Sequence, residues 1–480
     1  MRTVTKGYIT GMARAQPHAE HLGHVVFITA AAAIGGFLFG YDSSVINGAV
    51  TGIQKHFGVG SVETGLVVAI ALLGSALGAW VGGGLADRWG RTRAMQVAAV
   101  VFAVSSIGQM LPFAIWDLAF WRLLAGFGIG MASVLGPTYI AEVAPAAYRG
   151  RLGSFQQLAI VLGIAVSQLV NYVIARIAGG NVNNVVLGLQ AWQWMLGACV
   201  VPALLYLLFA STIPESPRYL VQAGRTAQAR TVLAEVEGEH TDLDARVAEI
   251  RQVLRSEVRP TAKDLRGPAL GLLPIVWVGI VLSVFQQFVG INVIFYYSSV
   301  LWQSVGINQS DSLLISFSSS VINIVGTFIA ISLVDRIGRR PLLLIGSAGM
   351  AVSLATAAWA FSAAREVGGT AGGVVLPDPQ GPVALVAANL FVLFFALSWG
   401  VVVWVLLGEM FPNRIRAAAL GVAAAAQWLA NWLITVTFPA LAEWNLPLTY
   451  AMYALFAVLS FGFVLVWVRE TKGRRLEEMG

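Results

Sequence analysis

Gly83-Gly84-Leu85-Ala86-Asp87-Arg88-Trp89-Gly90-Arg91 returns 248 positions later as Asp335-Arg336-Ile337-Gly338-Arg339-Arg340. Each stretch closes an apolar run, and each is followed by another. A second pair keeps the same order: Glu142-x-x-Pro145-x-x-x-Arg149 and Glu409-x-x-Pro412-x-x-x-Arg416, 267 positions apart. Pro214-Glu215-Ser216-Pro217-Arg218 is echoed by Glu470-Thr471-Lys472-Gly473-Arg474. Three matches in register mark a chain made of two similar halves.

The runs between these motifs are too apolar for a soluble protein. The 480 residues are 57% hydrophobic and 11% charged, whereas soluble domains are about 45–50% apolar and about 25% charged. Twelve apolar runs can be read, and spans of about 20–22 residues would use roughly 240–264 positions. The expected fold is an all-α membrane protein: twelve transmembrane helices in two six-helix bundles, residues 25–213 and 269–468. A polar tail (1–24), a linker (214–268) and a second tail (469–480) complete it. The first run lacks a small-residue cleavage site and reads as a retained span. Parallel six-helix repeats are the mark of a transporter whose halves rock about a central site.

Orientation follows the basic residues. The two tails and the even-numbered inter-helix loops hold 26 of the 30 lysines and arginines; odd-numbered loops hold only Lys55, Arg176 and Arg365. By the positive-inside rule both termini are expected in the cytoplasm, in a cell (inner) membrane. The net charge of +6 therefore reports topology, and no nucleic-acid partner is expected. The single Cys199 excludes an intramolecular disulfide and Cys-based metal sites. Three of five histidines, His18, His21 and His24, crowd the N-terminal tail. No metal, cofactor or nucleophile–base pair is expected, so the chain reads as no enzyme.

The linker carries helical patterns, Ala229-Val232-Leu233-Val236 and Val247-Ile250-Val253-Leu254, which predict short amphipathic helices. Charged residues cluster at span ends: Asp87, Arg88, Arg91, Glu142, Arg149, Glu215 and Arg218 in the first half. The second half has Asp335, Arg336, Arg339, Arg340, Glu409, Arg416 and Glu470. These are expected to pair between spans as cytoplasmic gate elements. Exposed pairs contribute only about 0–1 kcal/mol each, so several must act together.

Polar side chains inside spans face a bundle interior or cavity by default. Span seven gathers Gln286, Gln287, Asn292 and Tyr296. A straight helix at 100° per residue would scatter the glutamines away from Asn292; a break at Gly290 would let both line one cavity. Asn323 lies in span eight, Gln157 early in span five, and Gln427 and Asn431 share one face of span eleven. Amides donate and accept without charge. With the aromatic faces of Phe39, Tyr296, Trp404 and Trp428, they suit a neutral, hydroxyl-rich ligand. An isolated amide such as Asn323 can equally serve as a helix–helix bridge.

Asp42 in span one and Arg122 in span four are the two buried charges. A carboxylate whose guanidinium partner approaches in one state and withdraws in another binds protons with state-dependent affinity. Arginine stays protonated, so Asp42 is the titrating member. The alternative is a static ion pair pinning two helices.

The Asp-Arg-x-Gly-Arg loops, Pro-Glu-Ser-Pro-Arg and Gln286-Gln287-Phe288-Val289-Gly290-Ile291-Asn292 resemble the sugar porter family of the major facilitator superfamily, from about Gly35 to Glu478. The resemblance implies sugar contact for Gln157, Gln286, Gln287, Asn292, Asn323, Trp404 and Gln427, with Phe39, Tyr296, Gly400 and Trp428 as packing or gating neighbours. It also implies proton coupling through Asp42, since facilitative members carry Asn there. Two positions depart from the family: Val401 stands in place of a span-ten proline and Arg469 in place of a proline ahead of Glu470. Ile164 stands where the xylose symporter has a polar Gln and the glucose carriers an apolar residue, which leans toward a hexose. The expected function is proton-coupled import of a neutral monosaccharide, a hexose or pentose, by a monomer in the lipid bilayer. A facilitative uniporter, a polyol or inositol symporter and a non-transporting sugar sensor are the alternatives.

Overall fold

The computed structural model describes residues 19–145, 149–238, 242–256, 262–367, 373–412 and 414–472. The far ends of both expected tails and the side chain of Arg149 lie outside the described residues. The first half comprises α1 (Ala19–Phe57), α2 (Ser61–Trp89), α3 (Arg91–Met110), α4 (Ile115–Val143), α5 (Arg149–Ile177), a hairpin of β1 (Val185–Val186) and β2 (Leu189–Gln190), α6 (Ala191–Gly197) and α7 (Val200–Thr212). The linker holds α8 (Pro217–Gln222), α9 (Thr226–Glu237), α10 (Leu243–Ser256) and a 3-10 turn over Ala262–Leu265. The second half comprises α11 (Pro274–Phe288), α12 (Ile291–Ser304), α13 (Gln309–Ile337), α14 (Arg339–Phe361), a hairpin of β3 (Arg365–Val367) and β4 (Gly373–Val375), α15 (Gln380–Ala396), α16 (Trp399–Met410) and α17 (Arg416–Trp467).

Among the described residues, eleven helical segments are long and apolar enough to cross a membrane. The last runs for 52 residues, about 78 Å at 1.5 Å per residue, more than twice a bilayer's hydrocarbon core. Asn445 interrupts it with φ −162° and ψ 95°, and the expected count of twelve is reached only by dividing α17 there. The apolar side chains left exposed, such as Trp80, Phe113, Val352 and Val466, are a hydrocarbon-facing surface, because lipid tails solvate them at no cost.

Small residues let helices of one half touch backbone to backbone. On α2 a Cβ at Gly74 would stand 2.1 Å from the Leu123 carbonyl oxygen of α4; on α4 a Cβ at Gly130 would stand 2.1 Å from that of Ser75. Any larger side chain at either position forces the pair apart.

Among the described residues, two spans are broken by non-helical backbone. α11 ends at Phe288 and α12 starts at Ile291, with Gly290 left-handed at φ 87°, ψ 22°. α15 ends at Ala396 and α16 starts at Trp399, with Ser398 at φ −133°, ψ −90°. This second break forms although Val401 replaces the family's proline. In the linker, α9 buries Ala229, Val232, Leu233 and Val236 as its pattern predicts. On α10 Val247 is buried but Val253 is exposed, so only part of its expected apolar face is covered.

Candidate functional site

Arg122 rises from α4 to meet Asp42 on α1. Its Nη1 lies 3.5 Å from each Asp42 carboxylate oxygen, with the two side chains 2% and 1% exposed. Nη2 reaches the Val68 carbonyl at 3.5 Å, and Nε is buried without a partner among the described atoms. Hydrogen bonds to charged groups are normally shorter, about 2.7–2.9 Å. The pair is buried but loosely held. It opens onto an internal pocket of about 10 Å³, lined by Ser43, Val68, Leu72, Ser75 and Tyr296, which has room for about one water.

The second half holds the amide cluster. Gln286 donates from Nε2 to the Trp399 carbonyl at 2.9 Å and accepts from Gln427 Nε2. Asn292 Nδ2 donates to Gln287 Oε1 at 2.5 Å, across the Gly290 break. The break thus brings together two side chains that a continuous helix would separate. Gln427 Oε1 is buried and unpartnered, which leaves an acceptor to offer a hydroxyl. Phe39 of the first half meets Trp428 of the second edge-on, ring centroids 5.8 Å apart. Tyr296 is buried and lines the pocket shared by Ser43, Asp42 and Arg122.

Other candidates sit apart from these contacts. Asn323 is buried on α13, where its carbonyl accepts from Thr327. Gln157 is half-buried on α5 and Gly400 half-buried on α16. Trp404 is 44% exposed. Trp399 was missed by sequence reasoning, yet it fixes Gln286 through its carbonyl while its indole N–H binds Leu343 O and Ser347 Oγ. Nothing in the sequence separates it from the other tryptophans.

A second missed group joins the halves. Asn47 Nδ2 donates to Gln168 Oε1 and Ser316 Oγ at 3.0 Å each, and Asn47 Oδ1 accepts the Ser299 amide at 2.8 Å. Gln168 Nε2 donates to the Phe295 carbonyl at 3.1 Å, and Gln303 Nε2 to Thr51 at 3.3 Å. Among the described residues, these side-chain bonds between halves lie from mid-height toward the face away from the arginine-rich helix ends. The halves therefore meet on that side.

The arginine-rich face carries two copies of one charge cradle. Arg91 grips Glu142 with Nε and Nη2 at 2.8 and 2.7 Å, and Arg339 grips Glu409 at 2.9 and 2.6 Å. Asp87 and Asp335 stand one turn back at 3.2 and 3.0 Å. Glu215 accepts from the Arg91 and Thr92 amides, and Glu470 from those of Arg339 and Arg340. Ser216 and Thr471 each complete a cradle by donating to Glu142 or Glu409 at 2.5 Å. Arg218 approaches Glu142 at 3.9 Å. Arg340 binds the Leu465 carbonyl, Arg416 its own Phe411 carbonyl, and Arg88 and Arg336 are exposed. The charges pair between spans, α3 with α4 and α14 with α16, and each described cradle closes within its own half. One expectation changes: the Arg91 side chain is only 5% exposed and Glu142 9%, so that pair is not a weak surface one.

Burial pushes the Glu470 carboxyl up, but backbone N–H groups of Lys472, Arg339, Arg340 and Thr471 outweigh it and hold the group below the usual carboxylate range.

Two broken spans, a buried carboxylate–arginine pair and a duplicated cradle form a pattern that comparison with known proteins identifies. Residues 28–480 match the family model "Sugar (and other) transporter". The chain belongs to the sugar porter family of the major facilitator superfamily. It is similar to a glucose transport protein of Synechocystis sp., with 53% identity over 95% of this chain and 97% of that protein. It is also similar to the inward-open structure of the xylose transporter XylE from E. coli: TM-score 0.80, 36% identity, 95% of this chain and 99% of that one. Against the proton:xylose symporter XylE bound to 6-bromo-6-deoxy-D-glucose the TM-score is 0.76, at 37% identity over 96% and 99% of the two chains. Of these two XylE structures, the inward-open one is the more similar in fold.

Proposed function

We propose that this sugar porter imports a neutral monosaccharide together with a proton, by alternating access across the cell membrane. The observation that carries it is the Asp42–Arg122 pair, buried and loosely joined, in a chain whose other half holds a cluster of uncharged amides. Neutral donors and acceptors match sugar hydroxyls, and the carboxylate is the group able to carry the proton. Protonation of Asp42 cancels its attraction to Arg122 and frees α1 from α4. The names of the similar proteins, a glucose transporter and a proton:xylose symporter, support the same reading. The arginine-rich face is cytoplasmic by the positive-inside rule, which places both termini inside and makes the present form inward-facing. The protein works as a monomer in the bilayer and performs no covalent chemistry.

The test is uptake of radiolabelled glucose and xylose into proteoliposomes of purified protein, with and without an imposed pH gradient. An inward proton gradient should drive one sugar above equilibrium, and adding that sugar should alkalinise the outer medium. Flux indifferent to the gradient, with no proton movement, would assign a uniporter.

A further inference from the structure

We propose a second ligand site, for a small aryl-alkyl ammonium compound, in a cavity between the two halves on the face away from the charge cradles. The cavity has a volume of about 240 Å³. Its walls come from α1 and α2 of the first half and from α12 and α17 of the second. None of its lining residues belongs to the amide cluster or to the Asp42–Arg122 pocket. The site therefore stands apart from the symport reading.

The lining sets the chemistry of the occupant. Tyr297 and Phe438, both 1% exposed, form an aromatic wall with ring centroids 5.3 Å apart. The Tyr297 hydroxyl donates to the Thr435 carbonyl at 2.9 Å, so it offers a ligand only its ring. Val300, Pro439 and Leu446 continue the apolar surface. An apolar cavity of about 150 Å³ holds a benzene ring, so this larger one has room for a two-ring group such as indole. On the first-half wall, Gln54 Nε2 donates to Thr64 Oγ1 at 3.2 Å, and Thr64 donates to the Gly60 carbonyl at 2.6 Å. These bonds leave Gln54 Oε1 as an acceptor for a ring N–H. Glu443, which is exposed, is the one charged side chain among the described lining residues. A cation is attracted to that carboxylate and to the negative faces of the rings, whereas an anion is repelled by the carboxylate. An aromatic ring joined by a short alkyl chain to an ammonium meets all of these groups.

The experiment is equilibrium binding of radiolabelled tryptamine to the purified full chain in detergent, with empty micelles as the blank. One saturable site per chain is expected, from which indole-3-acetate, the same ring with the opposite charge, should fail to displace the probe. Glu443→Gln should weaken tryptamine about two- to five-fold, the range of an exposed ion pair, and leave binding of neutral 3-methylindole unchanged. Ala442→Phe places a ring in the cavity and should abolish binding. Excess glucose or xylose should leave tryptamine bound. No saturable binding, equal affinity of wild type and Glu443→Gln, displacement by indole-3-acetate, or undiminished binding to Ala442→Phe overturns the proposal. Displacement by either sugar would put the probe in the amide cluster and overturns it too. If Ala442→Phe does not fold, the exposed change Glu443→Gln decides alone. No transport is measured, so a result against proton coupling leaves this site standing, and its failure leaves the symport reading standing.

Discussion

Asn47 holds Ser299 at two points: its Oδ1 accepts the serine amide at 2.8 Å, and its backbone carbonyl accepts the serine hydroxyl at 2.5 Å. Both residues are buried, and they belong to different halves. The contact lies on the side opposite the charge cradles, so it is part of what closes the path on that side in this conformation.

Asn47→Ala removes the side-chain bonds to Ser299 and Ser316 while leaving the backbone one. At about 1 kcal/mol per bond, two lost bonds shift the conformational equilibrium by roughly 10–30-fold toward the form open on that side. Distances between spin labels at Lys55 and Ser304 would lengthen in the variant. An unchanged distance distribution would contradict the role given to this contact.

Asp42→Asn keeps the shape of the pair and removes its charge. Uphill accumulation should collapse to equilibrium while counterflow persists, because an uncharged amide neither carries a proton nor holds Arg122. Concentrative uptake by the variant in sealed vesicles would refute the assignment.

Gly290→Ala attacks the break directly. The new Cβ would stand 2.7 Å from Tyr453 Cδ2, at a φ of +87°. A left-handed non-glycine residue costs about 1–2 kcal/mol before any clash, which corresponds to roughly 5–30-fold weaker sugar binding if the strain is relieved by moving Gln287 and Asn292 apart. Equilibrium binding by isothermal titration calorimetry measures it, and wild-type affinity would mean that the break is not positional.

Arg91→Ala should destabilise the protein more than Arg339→Ala. Glu142, the carboxylate that Arg91 leaves behind, is 9% exposed, whereas Glu409 is 27% exposed. Removing one partner of a buried pair costs about 3–5 kcal/mol, because the other charge stays desolvated; water can reach Glu409 and lessen the loss. Thermal unfolding in detergent gives the order, and a reversed order would count against burial as its cause.

Glu470 sets a pH limit on the second cradle. Its folded-state affinity for protons is lowered, so its contribution is fully present above the unfolded-state value near 4.5 and is lost as pH falls through the lower folded value. The melting difference between wild type and Glu470→Gln should hold steady through neutral pH and shrink only once the medium is more acid than that. A difference that fades between pH 8 and 6 would point to another group.

Much of this was legible because membranes constrain sequences severely. The duplicated Asp-Arg-x-Gly-Arg loops located both cradles. The glycine after the Gln-Gln pair correctly placed the α11–α12 break. What escaped were contacts that depend on a partner's position in space. Asn47 and Gln168 are single amides with no local pattern, and only the approach of α12 gives them a role. Trp399 acts through its carbonyl, which every residue possesses. Trp404 illustrates the converse: the family pattern names the residue but not how far it is covered in one conformation. The α17 kink escaped because Asn445 falls between runs that read as two separate spans, with nothing to say that helix continues almost through it.

The bend at Ser398 has a further implication. Its hydroxyl bonds back to the Phe394 carbonyl at 2.5 Å, and a Cβ on Gly346 of α14 would stand 1.8 Å from that same oxygen. Gly346 thus leaves the room that the Ser398 hydroxyl occupies, so any larger residue there would press α14 against the bend and alter its angle without touching span ten itself.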